Sequence, residues 1–226
     1  MNLFAKIRRR SDLLYRQYIL RDQFLINAAR WVKDDGDRTH RLNYPLTEES
    51  VVMDLGGYHG DFAAAIYEKY GCQVYIFEPV QRFYHSCVAR FKTNPRIICL
   101  NYGLSAQDET LNIGLAENAS SFVASATQDS VEMVKVRSVV CCIRELSIKR
   151  IDLMKINIEG GEFDVLPAMI LSGDIKKVNF LQVQFHGFVE NAVARRSTIR
   201  SHLEKSHAEM WNYEFVWESW RRLLNT

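Results

Sequence analysis

The stretch Val51-Val52-Met53-Asp54-Leu55-Gly56-Gly57-Tyr58-His59-Gly60 constrains this chain more than any other. A short apolar run that stops at paired glycines, followed by a helical pattern over residues 61–70, is a buried strand feeding a helix through a tight turn. Ala63, Ala64 and Ala65 give that helix a close-packing face, and Gly71 stops it. The same unit then recurs. Residues 73–77 predict a second strand ended by Glu78-Pro79, residues 79–91 a helix and residues 97–100 a third strand. Residues 110–115 and 134–140 read as extended, with Ser120-Ser121 in a loop between them. Residues 151–158 form a buried strand, 162–171 a helix, 177–185 a strand and 189–205 a long polar helix. The aromatic tail over residues 211–220 reads as a last strand or hairpin. Strands alternating with helices predict an α/β fold with a doubly wound, mostly parallel sheet and helices on both faces.

Composition narrows the class. Of 226 residues, 47% are hydrophobic and 25% charged, which excludes disorder of the whole chain. No apolar run approaches the roughly 18 residues that a membrane span needs. The five cysteines (Cys72, Cys87, Cys99, Cys141, Cys142) form no C-x-x-C pair, disulfide framework or zinc-ribbon spacing. Arg16 and Arg21 interrupt the apolar stretch after Arg8-Arg9-Arg10, so no signal peptide is read and a cytoplasmic location is expected. Residues 1–33 hold eight Lys/Arg and two Asp/Glu, a balance of +6 against +2 for the chain, which leaves −4 for the remainder. A helix over residues 11–32 either meets an anionic partner such as a membrane surface or packs on the domain through Leu13, Leu14, Ile19, Leu20, Phe24 and Ile26. Packing is the reading preferred. Nucleic acid is not expected as a partner, because the acidic remainder offers no second basic patch.

The loop after the first strand is built to meet a ligand. Its glycines let backbone approach without a Cβ clash, and the following helix presents unpaired N–H groups. Glu78 ends the second strand 24 residues beyond Asp54, where a carboxylate can accept from both hydroxyls of an adenosine ribose. The bland alternative is a tight turn with a surface acid. A dinucleotide fingerprint would put its first glycine at Leu55, which disfavours a nicotinamide oxidoreductase. The acid before the loop and the Glu-Pro after the second strand fit S-adenosylmethionine better.

Asp54-Leu55-Gly56-Gly57-Tyr58-His59-Gly60, then Phe77-Glu78-Pro79, then Lys155-Ile156-Asn157-Ile158-Glu159-Gly160-Gly161-Glu162 resemble the three motifs of the FkbM-type family of methyltransferases. The resemblance spans about residues 50–186. It implies a Rossmann-like methyltransferase domain over residues 46–226, with residues 1–45 as an N-terminal helical appendage. It also implies S-adenosyl-L-methionine as cofactor and a small-molecule or sugar hydroxyl as methyl acceptor. Carried onto this chain, the cofactor residues are Asp54, Gly56, Gly57, Tyr58, Gly60, Glu78 and Pro79, with Asn101, Tyr102 and Gly103 flanking the adenine. Two positions depart from the pattern: Tyr58 stands where the family has Asn, and Asn157 where it has Asp. An amide at 157 cannot accept a proton, although it can position a hydroxyl.

Three residues are the catalytic candidates: Asn157, Glu159 and His186. Glu159 points toward the crevice at the sheet's carboxyl edge. Glu162 reads equally as a functional acid at that edge and as a first-turn acid that complements the helix dipole, and Asp164 reads as the latter. His186 ends the fifth strand of the alternating series at that same edge, where an imidazole can take a hydroxyl proton. Its alternative is a strand-end histidine bonded to a loop. Asn157, Glu159 and His186 are also possible metal donors, but no metal is expected. Trp211, Tyr213, Phe215 and Trp217 alternate at period two, as one face of a strand does. They either pack in the core, the preferred reading, or offer a platform to a sugar ring. The reading adopted is an S-adenosylmethionine-dependent O-methyltransferase. Its rivals are a nicotinamide oxidoreductase and a nucleoside-binding module without catalysis.

Overall fold

Four of the five residues of strand β1 (Val51–Leu55) are fully buried, so neither face of the strand can meet water. The computed structural model describes residues 16, 19–114 and 131–224. Around β1 a seven-stranded sheet is assembled from β2 (Gln73–Phe77), β3 (Ile97–Leu100), β7 (Ile151–Ile156), β8 (Val178–Val183), β9 (His207–Tyr213) and β10 (Trp217–Arg222). Their spatial order is β3-β2-β1-β7-β8-β10-β9. Pairing is parallel from β3 through β8, and β10 alone runs antiparallel to both its neighbours. A separate three-stranded sheet, β4-β6-β5, joins β4 (Gly103–Ser105), β5 (Glu109–Gly114) and β6 (Val131–Ser138).

Alternation along each strand sends side chains to opposite layers. Val52, Val74, Ile76 and Leu153 face helices α2 (Asp61–Tyr70) and α3 (Gln81–Phe91), together with Tyr44 and Leu46. Met53, Leu55, Met154, Ile156, Leu181 and Val183 face α4 (Val139–Glu145), α5 (Glu162–Ser172) and α6 (Ala192–Leu203). The sheet is therefore doubly wound, with a core on each side. Strands β1, β2 and β3 coincide with their predicted ranges, because turn-forming or polar residues bound each apolar run: Ser50 and Gly56, Gly71 and Glu78, Arg96 and Asn101.

Other boundaries differ, each for a local reason. The helix expected over 11–32 is, within the described residues, α1 (Gln23–Lys33). Arg21 takes a left-handed φ of 51°, and Asp22 caps α1 by accepting from the Leu25 N–H at 3.3 Å. Ile19 and Leu20 are exposed, so packing runs through Phe24, Ala28 and Trp31 instead. Leu13, Leu14, Arg8-Arg9-Arg10 and Ser120-Ser121 lie outside the described residues. The helix expected from 79 starts at Gln81, because the Val80 N–H is taken by the Glu78 side chain at 2.9 Å. The extended run expected over 134–140 stops at Ser138, whose hydroxyl caps α4 through the Cys141 N–H. The strand expected over 151–158 ends at Ile156.

The aromatic tail is a hairpin, and its single-strand alternation is broken. Phe215 sits in the connecting turn with a φ of 58°, while Tyr213 and Trp217 face each other across the two strands. Tyr213, Val216 and Trp217 pack with Trp31 of α1, and Trp211 closes the cluster. The packing alternative therefore describes these rings.

Candidate active site

The carboxyl ends of β1, β2, β7 and β8 share one edge of the sheet, and the expected site residues gather there. After β1 the chain turns through Gly56 at φ 81°, where a Cβ would run into the carbonyl oxygen of Asn157. The loops after β1 and β7 thus touch backbone to backbone. Tyr58 is held at φ 50° and Gly60 at φ 77°, and Gly60 opens α2 without a side-chain cap. Gly57 is buried against Ile76. The Tyr58 ring lies 4.3 Å from that of Phe83. His59 is exposed and meets Ser86 at 3.4 Å.

Glu78 reaches back from β2 to grip this loop. Its Oε2 accepts from the Tyr58 N–H at 2.7 Å, and its Oε1 from the Val80 N–H at 2.9 Å. Burial pushes its carboxyl up to about 7, although both N–H groups pull the other way. Each oxygen retains a lone pair for a further donor. Asn101 stands beside it and donates to the carbonyls of Glu78 at 3.2 Å and Pro79 at 3.3 Å. Gly103 is buried in β4 against Val136 and Pro79. Tyr102 is placed differently from its neighbours: its ring packs near Phe77 and its hydroxyl lies 3.6 Å from Cys142 Sγ, within the protein.

Beneath the loop lies a buried ion pair. Lys155 Nζ is 2.9 Å from Asp54 Oδ1 and donates to the Gly56 carbonyl at 2.7 Å and the Leu55 carbonyl at 3.3 Å. Burial pushes the Lys155 ammonium down, and Asp54 opposes that shift. With Lys155 on Asp54 Oδ1, Asp54 Oδ2 and Asn157 Oδ1 are the buried oxygens here that have no hydrogen-bond partner among the described residues. Asp54 lies in β1 and Asn157 directly after β7, so both unmet acceptors sit at the carboxyl edge of the sheet.

The third part of the edge is the pair of loops after β7 and β8. His186 is buried, and its Nδ1 lies 3.0 Å from Glu162 Oε1. The same oxygen accepts from the His186 N–H at 2.8 Å, and Oε2 accepts from the Gly160 N–H at 2.9 Å. His186 Nε2 faces Glu159 Oε2 at 3.7 Å, and Glu159 is 60% exposed. Glu162 lies in the first turn of α5, as its bland alternative had it, and is wholly buried there.

The edge therefore unites Asp54, Gly56, Gly57, Tyr58, Gly60 and Glu78 with Asn157, Glu159 and His186. Two further residues belong to it, Lys155 and Glu162. A lysine inside the apolar run 151–156 is the signal that could have found the first, since lysines are almost never buried unpaired. The motif ending in Glu162 marked the second without deciding its role, because its partner His186 lies 24 residues away. Among the described residues no group of three or more His, Cys, Asp and Glu side chains is placed to hold a metal ion.

The family model described as the methyltransferase FkbM domain matches residues 54–218. No curated protein matches the chain. Among solved structures, an rRNA methylase from Streptococcus thermophilus is 11% identical, covers 79% of this chain and 89% of its own, and gives a TM-score of 0.47. Aeropyrum pernix fibrillarin in complex with natively bound S-adenosyl-L-methionine is 8% identical, with 79% and 67% covered and a TM-score of 0.46.

Proposed function

This chain belongs to the FkbM methyltransferase family and is an S-adenosyl-L-methionine-dependent methyltransferase, and we propose that it methylates a hydroxyl of a small molecule or sugar. One observation supports this most: a buried imidazole, anchored at Nδ1 by Glu162, turns Nε2 toward the crevice beside the loop that ends β7. Hydroxyl methylation needs such a group, because the acceptor must lose its proton as it attacks. We also keep residues 1–45 as an appendage to a catalytic domain over 46–226.

The residues present fit the cofactor. Glu78 keeps free lone pairs for the ribose hydroxyls, with Asn101 and Gly103 beside it. Asp54 Oδ2, which the ion pair with Lys155 leaves unpartnered, accepts a donor at the loop's inner side. Bound S-adenosyl-L-methionine supplies a methyl group already activated by its sulfonium. The chain's own task is then alignment and proton removal. Asn157 Oδ1, buried and unpartnered, orients the acceptor by accepting from a hydroxyl next to the reacting one, which leaves the reacting proton to His186, and an amide there takes no proton itself. His186 takes the proton at Nε2, with Glu159 across from it to stabilise the resulting imidazolium.

Incubation with S-adenosyl-L-methionine and a panel of sugars and polyols, followed by mass spectrometry, tests the reading. The expected result is a methyl ether together with S-adenosylhomocysteine, and methylation confined to amines or thiols would overturn it. His186→Ala should lower turnover by about 10²–10⁴-fold with cofactor affinity nearly intact. Glu78→Ala should weaken S-adenosylhomocysteine binding by about 1.5–3 kcal/mol in calorimetry, the range for a charged hydrogen bond.

A further inference from the structure

We propose that Glu162 is the positioning residue of this site: one buried carboxylate fixes the tautomer of His186 and holds the loop carrying Glu159 against it. The role in proton removal rests on the methyl-transfer reading above, whereas the tautomer and the clamp are properties of the folded chain alone.

Glu162 opens α5, a place where an acid ordinarily points into water, yet its side chain has no exposure. Its two oxygens divide the work. Oε1 takes both the backbone N–H and the ring Nδ1 of His186, at 2.8 and 3.0 Å, while Oε2 takes the Gly160 N–H at 2.9 Å. An ionised carboxylate only accepts, so the neutral imidazole must carry its proton on Nδ1. Nε2 is then the ring's one lone pair, and it looks toward Glu159 at 3.7 Å.

The second arm of the clamp holds an unfavourable turn. Glu159 at φ 50° and Gly160 at φ 108° are consecutive positive-φ residues. A side chain at 159 adopts that conformation only when its surroundings enforce it. Two contacts do so: the Oε2 bond to the Gly160 N–H, and the bare Cα of Gly160 packed so near Val189 that a Cβ would press on its Cγ2 at 3.0 Å. Val189 lies in the loop after β8, whose N–H bonds the His186 carbonyl at 3.4 Å. The loops that carry the two candidate bases are thus joined twice, once through the Glu162 carboxylate and once through Gly160 on Val189. Movement of one displaces the other.

The test needs no acceptor. In protein labelled with 15N at histidine, long-range proton–nitrogen NMR at alkaline pH reads the His186 tautomer, and amide exchange reads Gly160 and His186. The wild type should show Nδ1–H and slow exchange at both amides. Glu162→Gln retains a carbonyl oxygen for His186 but turns an NH₂ group on the Gly160 N–H. The tautomer should persist while the Gly160 amide exchanges at least about tenfold faster. Glu162→Ala should move the ring to Nε2–H and speed both amides. A wild-type ring found as Nε2–H would overturn the proposal, as would a Glu162→Ala ring still held as Nδ1–H. If the alanine variant does not fold, an unchanged Gly160 amide in Glu162→Gln overturns it. Loss of cofactor binding would count against the methyl-transfer reading and leave the tautomer untouched, so the two failures are distinguishable.

Discussion

Glu78 is pushed up to about 7 from an ordinary 4.5, first by burial and also by Asp54, against the pull of the Tyr58 and Val80 N–H groups and Lys155. The folded chain therefore keeps a proton that the unfolded chain releases between about pH 4.5 and 7. Stability falls as pH climbs through that window, by about 3 kcal/mol in all, and is flat above it. Ribose hydroxyls are bound best by the ionised carboxylate, so S-adenosylhomocysteine binding should tighten with pH up to about 7 and release a proton below it. Calorimetry in two buffers of different ionisation heat reads the proton, and Glu78→Gln should abolish both effects. Affinity that does not change between about pH 5.5 and 7.5 would contradict this assignment. Lys155 makes the complementary case. Lys155→Met strands Asp54 as a lone buried charge and should cost about 3–5 kcal/mol in urea unfolding. Adding Asp54→Asn should recover most of that loss. Such residues show how far sequence reaches. The acid at 78 was legible because a strand end and a proline mark its place. The role of Glu162 was not, because a buried carboxylate is defined by donors that arrive from β8 and from its own preceding loop.

Secondary structure was legible where a short apolar run has a clear stop at each end. Residues 51–55, 73–77 and 97–100 are bounded by glycine, proline or polar residues, and their apolar content leaves one conformation consistent with the sheet. Legibility failed where a single hydrogen bond decides. Val139-Val140 favours strand by its branched side chains, yet Ser138 ends β6 and begins a helix by bonding the Cys141 N–H. Ser138→Ala should cost about 1 kcal/mol, within the usual range for an N-cap, with the loss seen as a lower midpoint in thermal unfolding. The short β4 escaped notice for a different reason, since three residues carry no periodicity. The hairpin turn at Glu214–Val216 hid inside an alternation of aromatics that would otherwise be one strand.

The long-range arrangement joins the two ends of the described chain. Helix α1 lies on the β9–β10 hairpin through Trp31, which is 5% exposed, and the Asn27 amide donates to the Glu214 carbonyl at 3.5 Å. Trp31→Ala should therefore cost about 3–5 kcal/mol and loosen the hairpin, which near-ultraviolet circular dichroism of Trp211 and Trp217 would register. With its apolar face so occupied, α1 has little left for a bilayer. The intact protein should stay in the supernatant with anionic vesicles at low salt, and salt-sensitive sedimentation would contradict that. The strand order carries one more implication. β10 follows β9 in the chain but lies inside it, between β8 and β9. During synthesis the rim of β8, from Phe180 to Val183, consequently stays without its native partner until residues as late as Arg221 have left the ribosome. A nascent chain stalled at Val216 should hence be the form most prone to sticking to its copies, and light scattering of a chain truncated there would show it.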